Sequence, residues 1–515
     1  MPWWREAVVY QVYPRSFADG NGDGVGDLAG LRARLHYLSW LGIDAIWLSP
    51  IFRSPMADFG YDVADYCDVD PLFGSLADLD LLVTDAHARG LRVLLDFVPN
   101  HTSDRHPWFV ESRSARTSAR RDWYVWRDPA PGGGPPNNWT AALAERKPAW
   151  TLDPATGQYY LHCFLPAQPD LDWSNPAVEA AMHDVVRFWL ARGIDGFRVD
   201  VTHCLGKDPA LPDEPPEWVG IPHAALNEHE STHPILRRLR AAVDAFPGDR
   251  VLVAEVFLVQ HRAFHRYYGR GDEMHLAFKL PDAVRVPWDA ADWRAYVADL
   301  RAELAPVGGW PTFVLSNHDT PRHRTRFGGD EARARAAAVL LTTLPGTPFL
   351  YAGEELGLED ATVPPDRVRD PGGRDGCRAP LPWDATPGHG WGAEPWLPFA
   401  PDPGRRSVAT LAADPSSILH LYRRLLALRR ASPALRGGDF VLLDAPAGLL
   451  AWARTAGRER CEVVVNFTDA AVACPVRGTV TLASDGEGEG APVPASLGPN
   501  RAVVLRAGSG SAAPA

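Results

Sequence analysis

Gly196-Phe197-Arg198-Val199-Asp200-Val201 is a short apolar run carrying one arginine and one aspartate. On a strand, alternate side chains share a face, so Arg198 and Asp200 point together while Phe197, Val199 and Val201 point the other way. Taken alone, such a run reads equally well as a structural ion pair. The same pattern recurs, however. Val251-Leu-Val-Ala-Glu255 and Phe313-Val-Leu-Ser-Asn-His318-Asp319 follow it, and Val93-Leu-Leu-Asp96-Phe-Val-Pro-Asn-His101 precedes it. Apolar strands that each finish in an acid or histidine, separated by helical stretches, describe a parallel (β/α)8 barrel with its active face at the strands' C-terminal ends.

Working outward, residues 7–17 read as a first strand, Leu28–Leu41 as an amphipathic helix and Asp44–Pro50 as a second strand. Ser75–Arg89 is expected to be helical with Gly90 as its stop. Helices are also expected at Pro176–Ala191, capped by Asn175, and at His233–Phe246, Trp293–Leu304 and Ser417–Ala431. Strands at 275–280, 312–315 and 347–351, the last preceded by an Ala-rich helix, bring the count to eight β/α units. Residues 102–170 break the rhythm with Pro, Gly, Trp and Arg, which suggests a subdomain inserted after strand three. From about residue 432, short strands between turns suggest a small antiparallel β-sandwich. The expected division is therefore 1–101 and 171–431 for the barrel, 102–170 for the insertion and 432–515 for the C-terminal domain, with Gly508–Ala515 a disordered tail.

At 515 residues, 46% hydrophobic and 23% charged, the chain has ordinary globular usage. A net charge of −12 without a basic patch argues against nucleic-acid binding and favours a neutral small-molecule partner. The 19 Trp and 13 Tyr offer faces on which sugar rings could stack, although most are expected in the core. Cysteines at 67, 163, 204, 377, 461 and 474 lack CxxC spacing and read as reduced thiols. No signal-type segment follows Met1, and no run approaches a membrane span, so a cytoplasmic enzyme is expected. Oligomeric state has no signature here.

The loop Asp19-Gly-Asn21-Gly-Asp23-Gly-Val25-Gly-Asp27 offers an oxygen at every second residue, with the Val25 carbonyl available among them. Position twelve is Gly30, not glutamate, so this is no EF-hand. A structural Ca2+ or Mg2+ site is expected, against the alternative of a solvated turn. The chemistry lies in Asp200, Glu255 and Asp319. Arg198 is expected to hold Asp200 ionised as a nucleophile. The apolar run before Glu255 is expected to raise its pKa, suiting it to be acid and then base. Asp319 could steady positive charge developing on a sugar.

These segments together resemble the α-amylase superfamily of glycoside hydrolases over nearly the whole chain. Gln168-Pro-Asp-Leu171 is similar to the marker of its α-glucosidase and oligo-1,6-glucosidase group, and the loop from Asp19 to Asp27 to that group's cation loop. The resemblance implies a covalent β-glucosyl intermediate on Asp200, Glu255 as acid/base and Asp319 binding the distorted sugar's hydroxyls. It implies that His101, Arg198 and His318 contact the same ring, that Asp58 and Tyr61 close the glucose pocket and that Phe164 forms an aromatic wall. An Arg opposite Asp58 is also implied, for which Arg405 is the candidate, with Arg406 adjacent. A pocket so sealed implies an exo-acting enzyme that releases terminal glucose. Val201 resembles the residue of members favouring α-1,6 bonds. A sucrose- or trehalose-converting relative would share these residues. A catalytically inactive transporter partner would lack the carboxylates and carry a membrane span, the opposite of this chain.

Overall fold

The computed structural model describes residues 1–143, 147–221, 226, 229–259, 261–280 and 282–506; Gly508–Ala515 and part of the stretch 206–232 lie outside the described residues. Eight parallel strands make the main sheet: β1 (Val9–Val12), β2 (Ala45–Leu48), β3 (Arg92–Phe97), β4 (Gly196–Val199), β5 (Val251–Phe257), β6 (Leu276–Leu280), β7 (Thr312–Val314) and β8 (Thr347–Tyr351). Their order is β6-β5-β4-β3-β2-β1-β8-β7. The two outer strands of that order meet where Thr312 Oγ1 donates to the Ala277 carbonyl at 2.6 Å, and the sheet closes as the barrel expected from the sequence.

The strands are Val-, Leu- and Phe-rich because both of their faces are covered. Inside the barrel, Trp47 stacks on Phe278 with ring centres 5.9 Å apart, and Phe278 meets Phe349 edge-on at 4.6 Å. This aromatic plug is the floor on which the polar end of the barrel rests. Outside, α1 (Leu28–Leu41), α2 (Leu76–Ala88), α3 (Pro176–Ala191), α4 (Thr232–Asp244), α5 (Ala290–Leu304), α6 (Glu331–Thr343) and α7 (Ile418–Ala431) pack their apolar faces on the strands. Their starts carry the expected chemistry. Ser75 and Asp78 form a reciprocal capping box, and Asn175 accepts from the Ala177 amide. Between β5 and β6 the chain runs through a 3₁₀ segment, His261–Tyr268, where the other connections carry α-helices.

After β3, the helix Pro107–Ser114 and a three-stranded antiparallel sheet of Trp126–Arg127, Gln158–Leu161 and Trp150–Asp153 stand over the barrel mouth. Trp139, Trp150 and Leu161 of this region share an apolar cluster with Val201 and Cys204, so the insertion packs directly on the loop after β4. At the other end, β9 (Asp439–Leu443), β10 (Leu449–Ala456), β11 (Glu459–Asn466), β12 (Thr479–Ala483) and β13 (Ala502–Arg506) form an antiparallel sheet in the order β9-β10-β11-β13-β12. A two-stranded sheet, Val472–Ala473 with Ser496–Leu497, shares its core. Buried Arg454 ties this unit to the barrel by donating to the Thr343 and Leu344 carbonyls, each at 3.0 Å. Among the described residues no helix is long and apolar enough to cross a membrane.

Candidate active site

Register places the carboxylates. Asp96 on β3 pairs with Arg198 on β4, and Arg198 pairs with Val253 on β5. Two residues further along each strand, Asp200 and Glu255 therefore arrive at one level of the rim. The close approach of β4 to β5 requires Gly196, since a Cβ there would lie 2.1 Å from the Val251 carbonyl oxygen. Beyond Asp200 the chain turns sharply. Val201 takes φ 33° and ψ 50°, a left-handed conformation costly for a β-branched residue, and its amide donates to Glu255 Oε2 at 3.0 Å.

Arg198, almost wholly buried, binds three acids. Nη1 donates to Asp96 Oδ1 at 2.8 Å and to Asp200 Oδ1 at 2.6 Å, and Nη2 lies 2.6 Å from Glu255 Oε2. Arg198 thus bridges Asp200 and Glu255 through its two terminal nitrogens. The electrostatics differ from expectation. Burial raises the Asp200 pKa well above the ordinary value; Arg198 opposes the rise, but the Glu255 and Asp96 carboxylates reinforce it. Burial likewise pushes Asp96 up to about 6 against the pull of Arg198. Glu255 is not in the apolar socket its flanking sequence suggested, because its carboxylate is held by a guanidinium and a backbone amide. The apolar residues before it are directed into the barrel and helix layers.

Asp319, past β7, accepts from Arg374 Nη1 at 2.9 Å and Arg378 Nη2 at 3.1 Å. Burial works against its charge, but His318, Arg374 and Arg378 hold its carboxyl well below the usual range. Gln11 donates to His318 Nδ1 at 2.7 Å, leaving Nε2 to carry the proton toward Tyr61 Oη, 2.6 Å away. Burial keeps that imidazole neutral, with a pKa of about 3. Tyr61 in turn donates to Asp96 Oδ2 at 3.1 Å. Asp58 meets Arg374 Nη2 at 2.6 Å and accepts from Gln168 Nε2 at 3.1 Å. His101 stands 5.1 Å from the Phe164 ring, centre to centre, and lies 3.2 Å from the Tyr61 carbonyl.

Asp58, Tyr61, His101, Phe164, Asp200, Val201, Glu255, Asp319 and Arg374 line one pocket of about 320 Å³. Arg198 and His318 stand behind its wall. A larger cavity of about 660 Å³ beside Trp173, Lys207 and Arg238 is lined by none of the three carboxylates, so chemistry and not size singles out the smaller one.

Arg405 is a correction. It borders a different cavity with Glu331, Asp402 and Arg406, and Arg406 pairs with Glu331 at 2.7 Å. The arginine opposite Asp58 is Arg374, in the Gly-rich stretch Asp370-Pro-Gly-Gly-Arg374-Asp-Gly-Cys-Arg378. Sequence reasoning also missed Gln11, Arg378 and the bonding role of Gln168. Two arginines four residues apart, flanked by acids within a loop, were the signal available for Arg374 and Arg378.

The donor chemistry of the loop 19–27 fits a hard cation: carboxylates of Asp19, Asp23 and Asp27, the Asn21 amide and the Val25 carbonyl. Its carboxylates also satisfy the loop's own backbone. Asp19 accepts from the Gly22 and Gly24 amides, Asp23 from Val25, and Asp27 caps α1 through the Gly30 amide at 2.6 Å. Among the described residues, no three His, Cys, Asp or Glu side chains converge as a metal centre.

The family model described as "Alpha amylase, catalytic domain" matches residues 11–438, a span that holds every residue of this pocket. The chain belongs to the α-amylase family. It falls in the α-glucosidase and oligo-1,6-glucosidase group and is a glycoside hydrolase. This α-amylase-family chain is 44% identical over 504 residues to a probable alpha-glucosidase of Rhizobium meliloti (strain 1021), covering 91% of this chain and 90% of that one. It is 36% identical to an oligo-1,6-glucosidase of Parageobacillus thermoglucosidasius, covering 91% of each. Among solved structures, the alpha-glucosyl transfer enzyme XgtA superposes with a TM-score of 0.91 at 40% identity, over 98% of this chain and 100% of that one. The trehalulose synthase MutB of Pseudomonas mesoacidophila MX-45 gives 0.92 at 33%, over 98% and 99%.

Proposed function

We propose that this glucosidase is a retaining, exo-acting α-glucosidase that releases terminal glucose from short α-1,4- or α-1,6-linked gluco-oligosaccharides. The observation that carries the reading is the Arg374 guanidinium joined to both Asp58 and Asp319, which walls off one side of the pocket holding Asp200 and Glu255. A pocket closed in this way accepts a chain end and not its middle.

In the first step an Asp200 oxygen attacks the anomeric carbon, the glycosidic C–O bond breaks, and Glu255 gives its proton to the departing oxygen. In the second, water loses a proton to Glu255 and attacks the same carbon, which releases Asp200. Two inversions at that carbon leave its α configuration retained. Arg198, donating to Asp200 Oδ1, favours the ionised form that the attack requires, against the burial and the Glu255 and Asp96 charges that oppose it, and a proton on Glu255 in the first step removes one of those opposing charges. Asp319, held ionised by two arginines, offers a hydrogen-bond acceptor to sugar hydroxyls and a negative charge to the oxocarbenium-like transition state.

The test is the Asp200→Asn variant with p-nitrophenyl α-glucoside, together with the anomer released by the wild type from maltose and isomaltose, followed by NMR. A loss of at least ~10³-fold in kcat and initial α-glucose are expected; retained turnover or initial β-glucose would overturn the reading. The maltose to isomaltose ratio also tests the α-1,6 preference drawn from Val201.

The second reading is a transglucosylase or sucrose isomerase, favoured by the likeness to solved structures named for those reactions. Sucrose converted to isomeric disaccharides without free glucose would select it. We further propose a structural Ca2+ or Mg2+ in the loop 19–27, and a reducing, cytoplasmic setting supported by six cysteines that are all unpaired.

A further inference from the structure

Arg374 is held from two sides. Facing the pocket, Nη2 reaches Asp58 and Nη1 reaches Asp319. Facing away, the same Nη2 donates to Asp370 Oδ1 at 2.6 Å, and Nε donates to Asp370 Oδ2 at 2.9 Å. Asp370 is buried and does not line the pocket. Its Oδ2 also accepts from the Arg374 amide at 2.7 Å, and its own amide donates to Asp375 Oδ2 at 3.0 Å, so the carboxylate is fixed before it fixes anything else.

The turn between them is built for this contact. Gly373 takes φ +71°, and a Cβ on Gly372 would lie 3.0 Å from Arg374 Nε, 3.1 Å from Asp370 Oδ2 and 2.8 Å from Leu143 Cδ2. Only a bare backbone lets Asp370 close on Arg374 while Leu143 of the inserted region covers the turn. A free arginine side chain carries rotamer entropy that a sugar would otherwise have to overcome on binding.

We propose that Asp370 is a positioning residue for terminal-glucose recognition: it grips the far side of the Arg374 guanidinium and so presets the wall that Arg374 and Asp58 raise at the closed end of the pocket. This rests on the reading of that pocket as a glucose site. Asp370 does not touch the sugar; it determines where Arg374 stands when the sugar arrives.

Kinetics on p-nitrophenyl α-glucoside separate the two claims. A wild type without turnover defeats the functional reading itself. With an active wild type, Asp370→Asn is expected to raise KM about tenfold or more while kcat stays within about threefold. A KM within twofold of wild type, or a fall in kcat alone, overturns the positioning role. The Asp370→Asn substitution would leave Arg374 short of one buried counter-charge, so folding is controlled by a second arm that removes both charges. Arg374→Ala assayed in millimolar guanidinium chloride should regain about tenfold in kcat/KM, because Asp370, Asp58 and Asp319 cradle the added ion. Asp370→Asn/Arg374→Ala should regain under twofold. Equal rescue of both proteins, or rescue of neither, overturns the inference.

Discussion

Asp58 and Arg374, 316 positions apart in sequence, meet at 2.6 Å across the pocket. The pair assigns the closing arginine and so gives a direct contrast. Removing a charge-assisted hydrogen bond costs about 1.5–3 kcal/mol, or roughly 10- to 150-fold. Arg374→Ala is expected to lose that much kcat/KM on p-nitrophenyl α-glucoside, whereas Arg405→Ala, beside a separate cavity, should stay within about twofold. Comparable losses in both variants would return Arg405 to the site.

Arg198→Lys tests the three-acid junction. A lysine is one point charge on a flexible stem and cannot present separate nitrogens to Asp96, Asp200 and Glu255. Leaving a buried charge without its partner costs about 3–5 kcal/mol. The expected outcome is a melting temperature lower by several degrees and kcat reduced by at least ~10²-fold, measured on the same preparation. Near-normal kcat would show that charge alone, and not the forked geometry, sets the Asp200–Glu255 pair.

Much of this site was legible because its residues sit at strand ends. Asp200, Glu255 and Asp319 each follow an apolar run, and hydrophobic period fixes both the strand and the end on which the acid stands. Pro176–Ala191 carries the Asn175 cap that marks its start to the residue. Arg374 was hidden because a Gly- and Pro-rich loop has no period to show which of several arginines turns inward, and the acid-flanked spacing of Arg374 and Arg378 was the local sign left. The surroundings of Asp200 were only partly legible for a related reason. Sequence displays Arg198 as a neighbour but not the burial, or the approach of Asp96 and Glu255, that act against it.

Buried neutral histidines give the protein an acid limit. Burial lowers His106 to about 3, and its Nδ1 accepts from the Trp108 amide at the start of a helix. Between pH ~6.5 and 3 the unfolded chain binds this proton and the folded one does not, so stability rises with pH through that window and is lost on acidification. At pH 5 one such group accounts for about 2 kcal/mol. His106→Asn keeps an acceptor at the cap position and removes the titration. Urea melts at pH 7 and pH 5 should show a smaller acid loss for the variant by about 1–2 kcal/mol; parallel losses would place the acid limit elsewhere.

The loop before α1 couples local backbone geometry to a proposed ion. Asp19, Asn21 and Asp23 present oxygens at alternate positions, while Asp27 is committed to capping α1 and to the Gly20 and Asn21 amides. A hard divalent ion there would offset the charge of the loop's carboxylates and pin the entry to the first barrel helix, and binding the native state alone raises stability by mass action. The loop contributes no side chain to the pocket that holds Asp200 and Glu255. Exhaustive dialysis against EDTA should therefore lower the melting temperature by several degrees, and added Ca2+ or Mg2+ should restore it, with kcat at 25 °C unchanged within about twofold. Asp23→Ala should melt at the same temperature with and without chelator. A wild-type melt indifferent to chelation and to added ions would leave the backbone hydrogen bonds of Asp19, Asp23 and Asp27 as the loop's whole function.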